Sequence, residues 1–168
     1  MQLNKFKKPL IFIIASAVLM ILDQITKKYA ENNFINSPFI IIKDALELGF
    51  TKNSGAAFGI LQGKFYFFYV VTAFVILLII YTLYKIDLNK KYMPLFICII
   101  LIFSGTIGNL IDRIKNNYVI DFIYFRLIDF PLFNLADSYI TIGAILFIIL
   151  FIFVYKEEDI NYVFKNRE

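Results

Sequence analysis

The sequence predicts an all-α membrane protein, four transmembrane helices with a small extended segment on one face, and three observations carry that expectation. Hydrophobic residues make up 60% of the 168, with 20 Phe and 11 Tyr, which is more apolar than the core of a soluble domain of this length requires. A helical span needs about 20 mainly apolar residues. Stretches of that kind run over about 9–29, 65–84, 93–111 and 135–155, all within a single domain covering 1–168. The first, third and fourth carry their polar residues toward one end. Alternate crossings therefore gather those ends on one side of the membrane, together with the intervening segments at about 30–64 and 112–134.

The N-terminal stretch has the outline of a secretory signal, with Lys5, Lys7 and Lys8 before an apolar run and Ala15-Ser16-Ala17 as a small-residue triplet. The triplet lies mid-run and apolar residues continue to Leu22, so the segment is expected to stay as a first span with its N-terminus in the cytoplasm. Four crossings return the C-terminus to the same side. Asp23 and Lys27 stand one helical turn apart at the far end of that span, where they can pair or share a partner. Phe39 to Ile42 and Leu46 to Thr51 flank the turn-like Lys43-Asp44, and alternation of Leu46, Leu48 and Phe50 with polar or small residues predicts a hairpin. The run Asn53-Ser54-Gly55-Ala56-Ala57-Phe58-Gly59 lets backbone approach another chain closely.

The second span, at 65–84, has no ionisable side chain apart from tyrosines and reads as scaffold. The third ends in Gly105-Thr106-Ile107-Gly108-Asn109, with Asp112 and Arg113 following at the rim and Arg113 on the face of Asn109. Tyr118 to Leu127 alternates as a strand that carries Asp121 between apolar neighbours. Asp129-Phe130-Pro131 turns the chain, and Asn134 or Asp137 is placed to cap the last span. Beyond Tyr155 the polar tail is expected to be solvated.

Composition also excludes. The chain has no histidine, so Ser-His triads, Cys-His pairs and His-ligated zinc are out of reach. The net charge of +4 comes from basic residues at span ends rather than one stripe, which argues against nucleic acid and for membrane anchoring. Cys98, the single cysteine, lies inside an apolar run. What remains for hydrolysis is a carboxylate pair or a lysine-activated serine. If Asp121 and Asp137 face each other among apolar neighbours, they cannot both ionise, and the pair holds one proton over a wide pH range. That is the state an aspartic protease uses, with one carboxylate taking a proton from water and one acid polarising the carbonyl, and it calls for no cofactor or metal.

The stretches Asp23-Gln24-Ile25-Thr26-Lys27, Asn53 to Gly59, Gly108-Asn109 with Asp112-Arg113, Val119-Ile120-Asp121-Phe122 and Phe133-Asn134-Leu135-Ala136-Asp137-Ser138 occur in an order and spacing that resembles lipoprotein signal peptidase, also called signal peptidase II. The match spans nearly the whole chain, and its strength lies in five motifs in register. The resemblance implies a bacterial cytoplasmic-membrane aspartyl endopeptidase that removes signal peptides from prolipoproteins, cutting before the diacylglyceryl-modified cysteine of the lipobox. It implies four membrane helices with a small extracytoplasmic β-cradle, both termini cytoplasmic, the active site at the outer face, membrane lipid as a partner, and a monomer. By the same resemblance Asp121 and Asp137 match the catalytic dyad. Asn53, Gly108, Asn109, Arg113, Asn134 and Ala136 match residues around substrate and dyad, and Asp23 with Lys27 matches a supporting pair. One departure is Asn117, where many members have glycine; asparagine tolerates a left-handed backbone, so the turn can survive.

Two rival readings remain at this stage. A Ser-Lys peptidase would use Ser54 or Ser138 with Lys27 or Lys52. A proton channel or transporter would relay through Asp23, Asp121 and Asp137.

Overall fold

The structure, a computed structural model, describes residues 7–56 and 60–164. Lys5, Ala57, Phe58 and Gly59 of the small-residue run, Lys165 and Arg167 lie outside the described residues. Four helices are long and apolar enough to cross a membrane: α1 (Lys7–Asn33), α2 (Phe65–Lys85), α3 (Met93–Asn116) and α4 (Leu135–Ile149), the last continuing to Val154 in a wider turn. Three short strands, β1 (Phe39–Ile42), β2 (Leu46–Asn53) and β3 (Val119–Phe125), form one antiparallel sheet in the order β1-β2-β3. A last helix, α5 (Glu157–Phe164), follows α4.

α3 is the axis of the bundle. Half of its apolar window is buried, against 6–11% in the other three spans, and α1, α2 and α4 each pack on it. In a bilayer, apolar burial alone gives helices little reason to associate, so small residues that allow close approach matter most. At Gly143 of α4 an added Cβ would come within 2.8 Å of Ile102 and 3.2 Å of the Cys98 carbonyl, so the α3–α4 contact depends on the missing side chain. α1 is tied at its start by Lys8, whose Nζ donates to the carbonyls of Leu83 and Ile86 at the C-terminal end of α2, where the helix dipole favours a cation.

The sheet lies at the opposite end of the bundle. β2 and β3 pair through Thr51↔Asp121 and Asn53↔Val119, with a register shift between Leu48 and Thr51. After the turn, Phe133 docks back on β3: its carbonyl accepts from the N–H groups of Phe122 at 3.0 Å and Ile123 at 2.8 Å. This return brings Asn134 to the side of Asp121. A small core of Ala30, Phe34 and Phe122, flanked by Leu48, Phe50 and Leu135, joins the sheet to the ends of α1 and α4.

The predicted hairpin is present, with Asp44 at φ 60° in its turn. Asn117 takes the left-handed conformation, φ 60° and ψ 22°, as the C-cap of α3. Two expectations are corrected. α3 runs to Asn116, so Asp112 and Arg113 sit on the helix rather than in the segment after it, because buried partners hold them there. The tail after Tyr155 is not simply solvated: α5 packs near α2, Asp159 pairs with Lys91, and Tyr162 stacks on Tyr92 at 5.7 Å and 13°.

Candidate active site

Every candidate residue identified in the sequence lies at the sheet end of the bundle, where α1 and α3 finish and α4 begins. Asn134 organises the centre. It is the N-cap of α4, its side chain accepting from the Asp137 N–H at 3.0 Å, while the Asp137 carboxylate accepts from the Asn134 N–H at 3.2 Å. This reciprocal capping box satisfies two orphan donors at the helix start and fixes the Asp137 side chain. The expected cap is therefore real, and it does not withdraw Asp137 from the site: its Oδ1 accepts from Asn109 Nδ2 at 2.7 Å.

Asn134 also reaches the other aspartate. Its Nδ2 donates to Asp121 Oδ1 at 2.6 Å, and Asn53 Nδ2 donates to Asp121 Oδ2 at 2.8 Å. The Asn53 amide is itself oriented, since its Oδ1 accepts from the Gly55 N–H at 2.9 Å. Asp121 and Asp137 thus belong to one network bridged by Asn134 and Asn109, whose amides meet at 3.3 Å. Burial first, and then the negative charge of Asp137, push the Asp121 carboxyl up to about 7 against the lowering effect of the hydrogen bonds from Asn53 and Asn134.

Behind the dyad lies a second layer. Lys27, 1% exposed, places Nζ 2.9 Å from Asp23 Oδ2, 3.0 Å from Asp112 Oδ2 and 2.9 Å from Asn109 Oδ1. A cation on Oδ1 turns the donor side of the Asn109 amide toward Asp137. Asp23 Oδ1 accepts from the Ala136 N–H at 3.0 Å, tying α1 to the first turn of α4. Gly108 makes room for that carboxylate: an added Cβ would lie 2.6 Å from Asp23 Oδ2.

Asn109, expected around substrate and dyad, accepts from Lys27 through Oδ1 and donates to Asp137 through Nδ2. Arg113 bonds neither aspartate; its guanidinium stacks on Phe68 at 4.2 Å and donates to the Gly55 carbonyl at 3.2 Å. Gln24, Asp112 and Phe68 were not singled out as site residues. Gln24 Nε2 donates to Asp112 Oδ1 at 2.9 Å, and Asp112 Oδ2 also accepts from the Ile120 N–H at 3.2 Å, joining α1, α3 and β3. Both fall inside the quoted motifs, which was the available signal; Phe68 in an aromatic-rich span left none.

The rival constellations find no support in these contacts. Ser138 Oγ donates to the Asn134 carbonyl at 3.0 Å, Lys52 lies over the Tyr118 ring at 4.9 Å, and Lys27 serves two carboxylates and an amide. Asp23, Asp121 and Asp137 sit together at one end rather than along a path through the bundle.

Known proteins resemble this chain in sequence and fold. The family model described as signal peptidase (SPase) II matches residues 15–153. The lipoprotein signal peptidase of Clostridium tetani is 42% identical over 150 residues, covering 87% of this chain and 93% of the relative. That of Staphylococcus haemolyticus is 39% identical over 143 residues, covering 83% and 89%. A solved structure described as a bacterial membrane enzyme superposes with a TM-score of 0.78 at 36% identity, covering 87% of this chain and 92% of its own. By these matches and by its four-helix membrane fold, the chain belongs to the signal peptidase II family.

Proposed function

We propose that the chain removes the signal peptide from prolipoproteins as an aspartyl endopeptidase, cutting on the N-terminal side of the diacylglyceryl-modified cysteine of the lipobox. The observation that carries this reading is the pairing of two aspartates in one amide-held network, with one of them lifted to about 7 by burial and by the charge of the other. Near neutral pH such a pair shares a proton.

In this mechanism the Asp137 carboxylate accepts a proton from water as the oxygen adds to the scissile carbonyl carbon. The Asp121 carboxylic acid donates a hydrogen bond to the carbonyl oxygen and stabilises the charge that develops there. Collapse of the tetrahedral intermediate breaks the C–N bond. The leaving nitrogen takes a proton from the pair and departs as the amine of the modified cysteine, and the dyad returns to its singly protonated state. Asn53, Asn109 and Asn134 hold the two carboxyl groups in place while protons move. Arg113, braced on Phe68, supplies positive charge beside the dyad and orients the extended peptide.

In the orientation proposed here both termini face the cytoplasm and the dyad meets substrate where the outer leaflet meets water. A lipid-anchored cysteine at the outer surface would present its bond at that depth. On this reading the chain acts as a monomer. A mobility-shift assay of a lipidated prolipoprotein tests the reading: the wild-type chain releases the signal peptide, and Asp121→Asn and Asp137→Asn each abolish release. Persistent cleavage by either variant would refute it.

A further inference from the structure

One buried carboxylate of the sheet takes no part in the network around the dyad. Glu47 of β2 is 4% exposed, and its Oε1 accepts from Arg126 Nε at 2.9 Å. Among the described residues its Oε2 meets no donor, and the terminal nitrogens of Arg126, a side chain 52% exposed, meet no acceptor. A buried carboxylate oxygen left without a donor carries a desolvation cost that a ligand can remove. There is room for one. Glu47 lines a pocket of about 250 Å³ between the sheet and the chain leaving α1, walled by Phe34, Phe50 and Tyr124 and lined also by Asn36 and Gly49. Glu47 pairs with Tyr124 across β2 and β3, and Tyr124 shares its strand face with Phe122, opposite Asp121, so the pocket is separate from the dyad.

The chemistry of the walls selects a cation. The Tyr124 hydroxyl donates to Asp129 Oδ1 at 2.6 Å, so two carboxylates, Glu47 and Asp129, stand against the one guanidinium of Arg126. Aromatic faces beside an acceptor oxygen suit a primary ammonium, which gains cation–π attraction from the rings and donates to the carboxylate. The unused nitrogens of Arg126 suit a phosphate next to it. The depth is that of lipid headgroups, because Phe34 follows the last residue of the membrane-spanning α1, and Ile35 and Phe39 beside it are exposed. We propose that this pocket binds the headgroup of an aminophospholipid, with its ammonium on Glu47 among the rings and its phosphate on Arg126. A lysine side chain would bring the ammonium alone and leave Arg126 unused. Binding there is independent of the bond the dyad cuts, and it fastens β2 to β3 three residues, about 10 Å, along the strand from Asp121.

Native mass spectrometry of the full-length chain in a maltoside detergent tests this with short-chain phosphatidylethanolamine, phosphatidylcholine and phosphatidylglycerol. Phosphatidylethanolamine should bind about tenfold or more tighter than the other two, since a trimethylated ammonium cannot donate a hydrogen bond and glycerol carries no cation. Glu47→Gln and Arg126→Gln should each weaken phosphatidylethanolamine about tenfold or more. Glu31→Gln makes the same change of charge at the outlying pair with Lys28 and should keep the preference. Equal affinities for the three lipids, a preference that survives Glu47→Gln, or its loss in Glu31→Gln would overturn the proposal. So would binding of Nα-acetyl-lysine amide as tight as that of phosphatidylethanolamine. If Glu47→Gln lowers the melting temperature enough to unfold the sheet, Gly49→Leu decides with Glu47 intact: an added Cβ there meets only ordinary contact with Leu132 at 3.6 Å, and the longer side chain fills the pocket. Its expected result is loss of the preference, and a preference retained overturns the proposal.

Discussion

Two pairs of carboxylates, buried at Asp23, Asp112 and Asp121 and half-buried at Asp137, lie side by side at the sheet end of this bundle, and they are compensated in different ways. Asp23 and Asp112 share the ammonium of Lys27, at 2.9 and 3.0 Å, one cation between two carboxylates that also accept from Gln24, Ile120 and Ala136. Asp121 and Asp137 receive amide and backbone N–H donors, and among the described residues no basic side chain lies within ion-pair distance of either. A paired charge in a dry setting is held fixed; an unpaired one must keep or share a proton. Under the proposed mechanism, the difference separates the group that builds the site from the group that reacts in it.

Four changes break or sharpen that contrast. The largest effect belongs to the dyad: Asp121→Asn or Asp137→Asn should lower cleavage of a lipidated prolipoprotein by about 10³-fold or more, with the fold kept because size and hydrogen-bonding reach are preserved. Residual activity within tenfold of wild type would place the reacting group elsewhere. Next comes Lys27→Met, which strands two buried carboxylates. Unfolding in detergent should show a loss of about 3–5 kcal/mol, typical of breaking a buried pair from one side, and Asp23→Asn in the same chain should restore part of it. Full stability of the single variant would mean that Lys27 does not offset the buried charge of Asp23 and Asp112.

pH then distinguishes the dyad from its neighbours. With Asp121 lifted to about 7, the singly protonated pair is lost as pH rises through that value, so kcat/KM should fall about tenfold per unit above it. The same carboxyl bears on stability with a definite sign. Between its ordinary 3.8 and about 7 the folded chain holds a proton that the unfolded chain has released, so this group makes stability decline as pH rises across that window. A rate that climbs steadily from pH 6 to 9 would exclude the assignment. The smallest change is Arg113→Ala, which removes the stack on Phe68 and the bond to Gly55 while leaving both aspartates in place. A loss of about tenfold to a hundredfold is expected, and a loss equal to that of Asp121→Asn would move Arg113 into direct contact with the reacting atoms.

The spans, the hairpin, the capping of α4 and the clustering of polar residues at one end were all legible, because each follows from local patterns: apolar length, alternation, and an asparagine three residues before an aspartate. Asn117 was legible for the same reason, as a residue that accepts a left-handed turn. Less legible was anything set by partners distant in sequence. The sequence places Asp112 and Arg113 at the rim of the third span, Arg113 on the face of Asn109, with the outer segment starting at about 112. They remain on α3 because Lys27, Gln24 and Gly55 meet them from α1 and from the segment after β2. Asn109 was expected around substrate and dyad, and its bond to Lys27 of α1 is the part that the sequence did not show. α5 was unreadable because its short polar sequence gains structure from Lys91 and Tyr92, two residues of the turn before α3.

The shared proton itself can be observed by infrared difference spectroscopy of the chain in detergent, titrated across neutral pH. The account predicts a protonated-carboxyl band that is absent in Asp121→Asn, disappears near pH 7 in the wild type, and titrates at lower pH in Asp137→Asn, where the repelling charge is gone. A band that titrates at the same pH with and without Asp137, or no such band below neutrality, would contradict it.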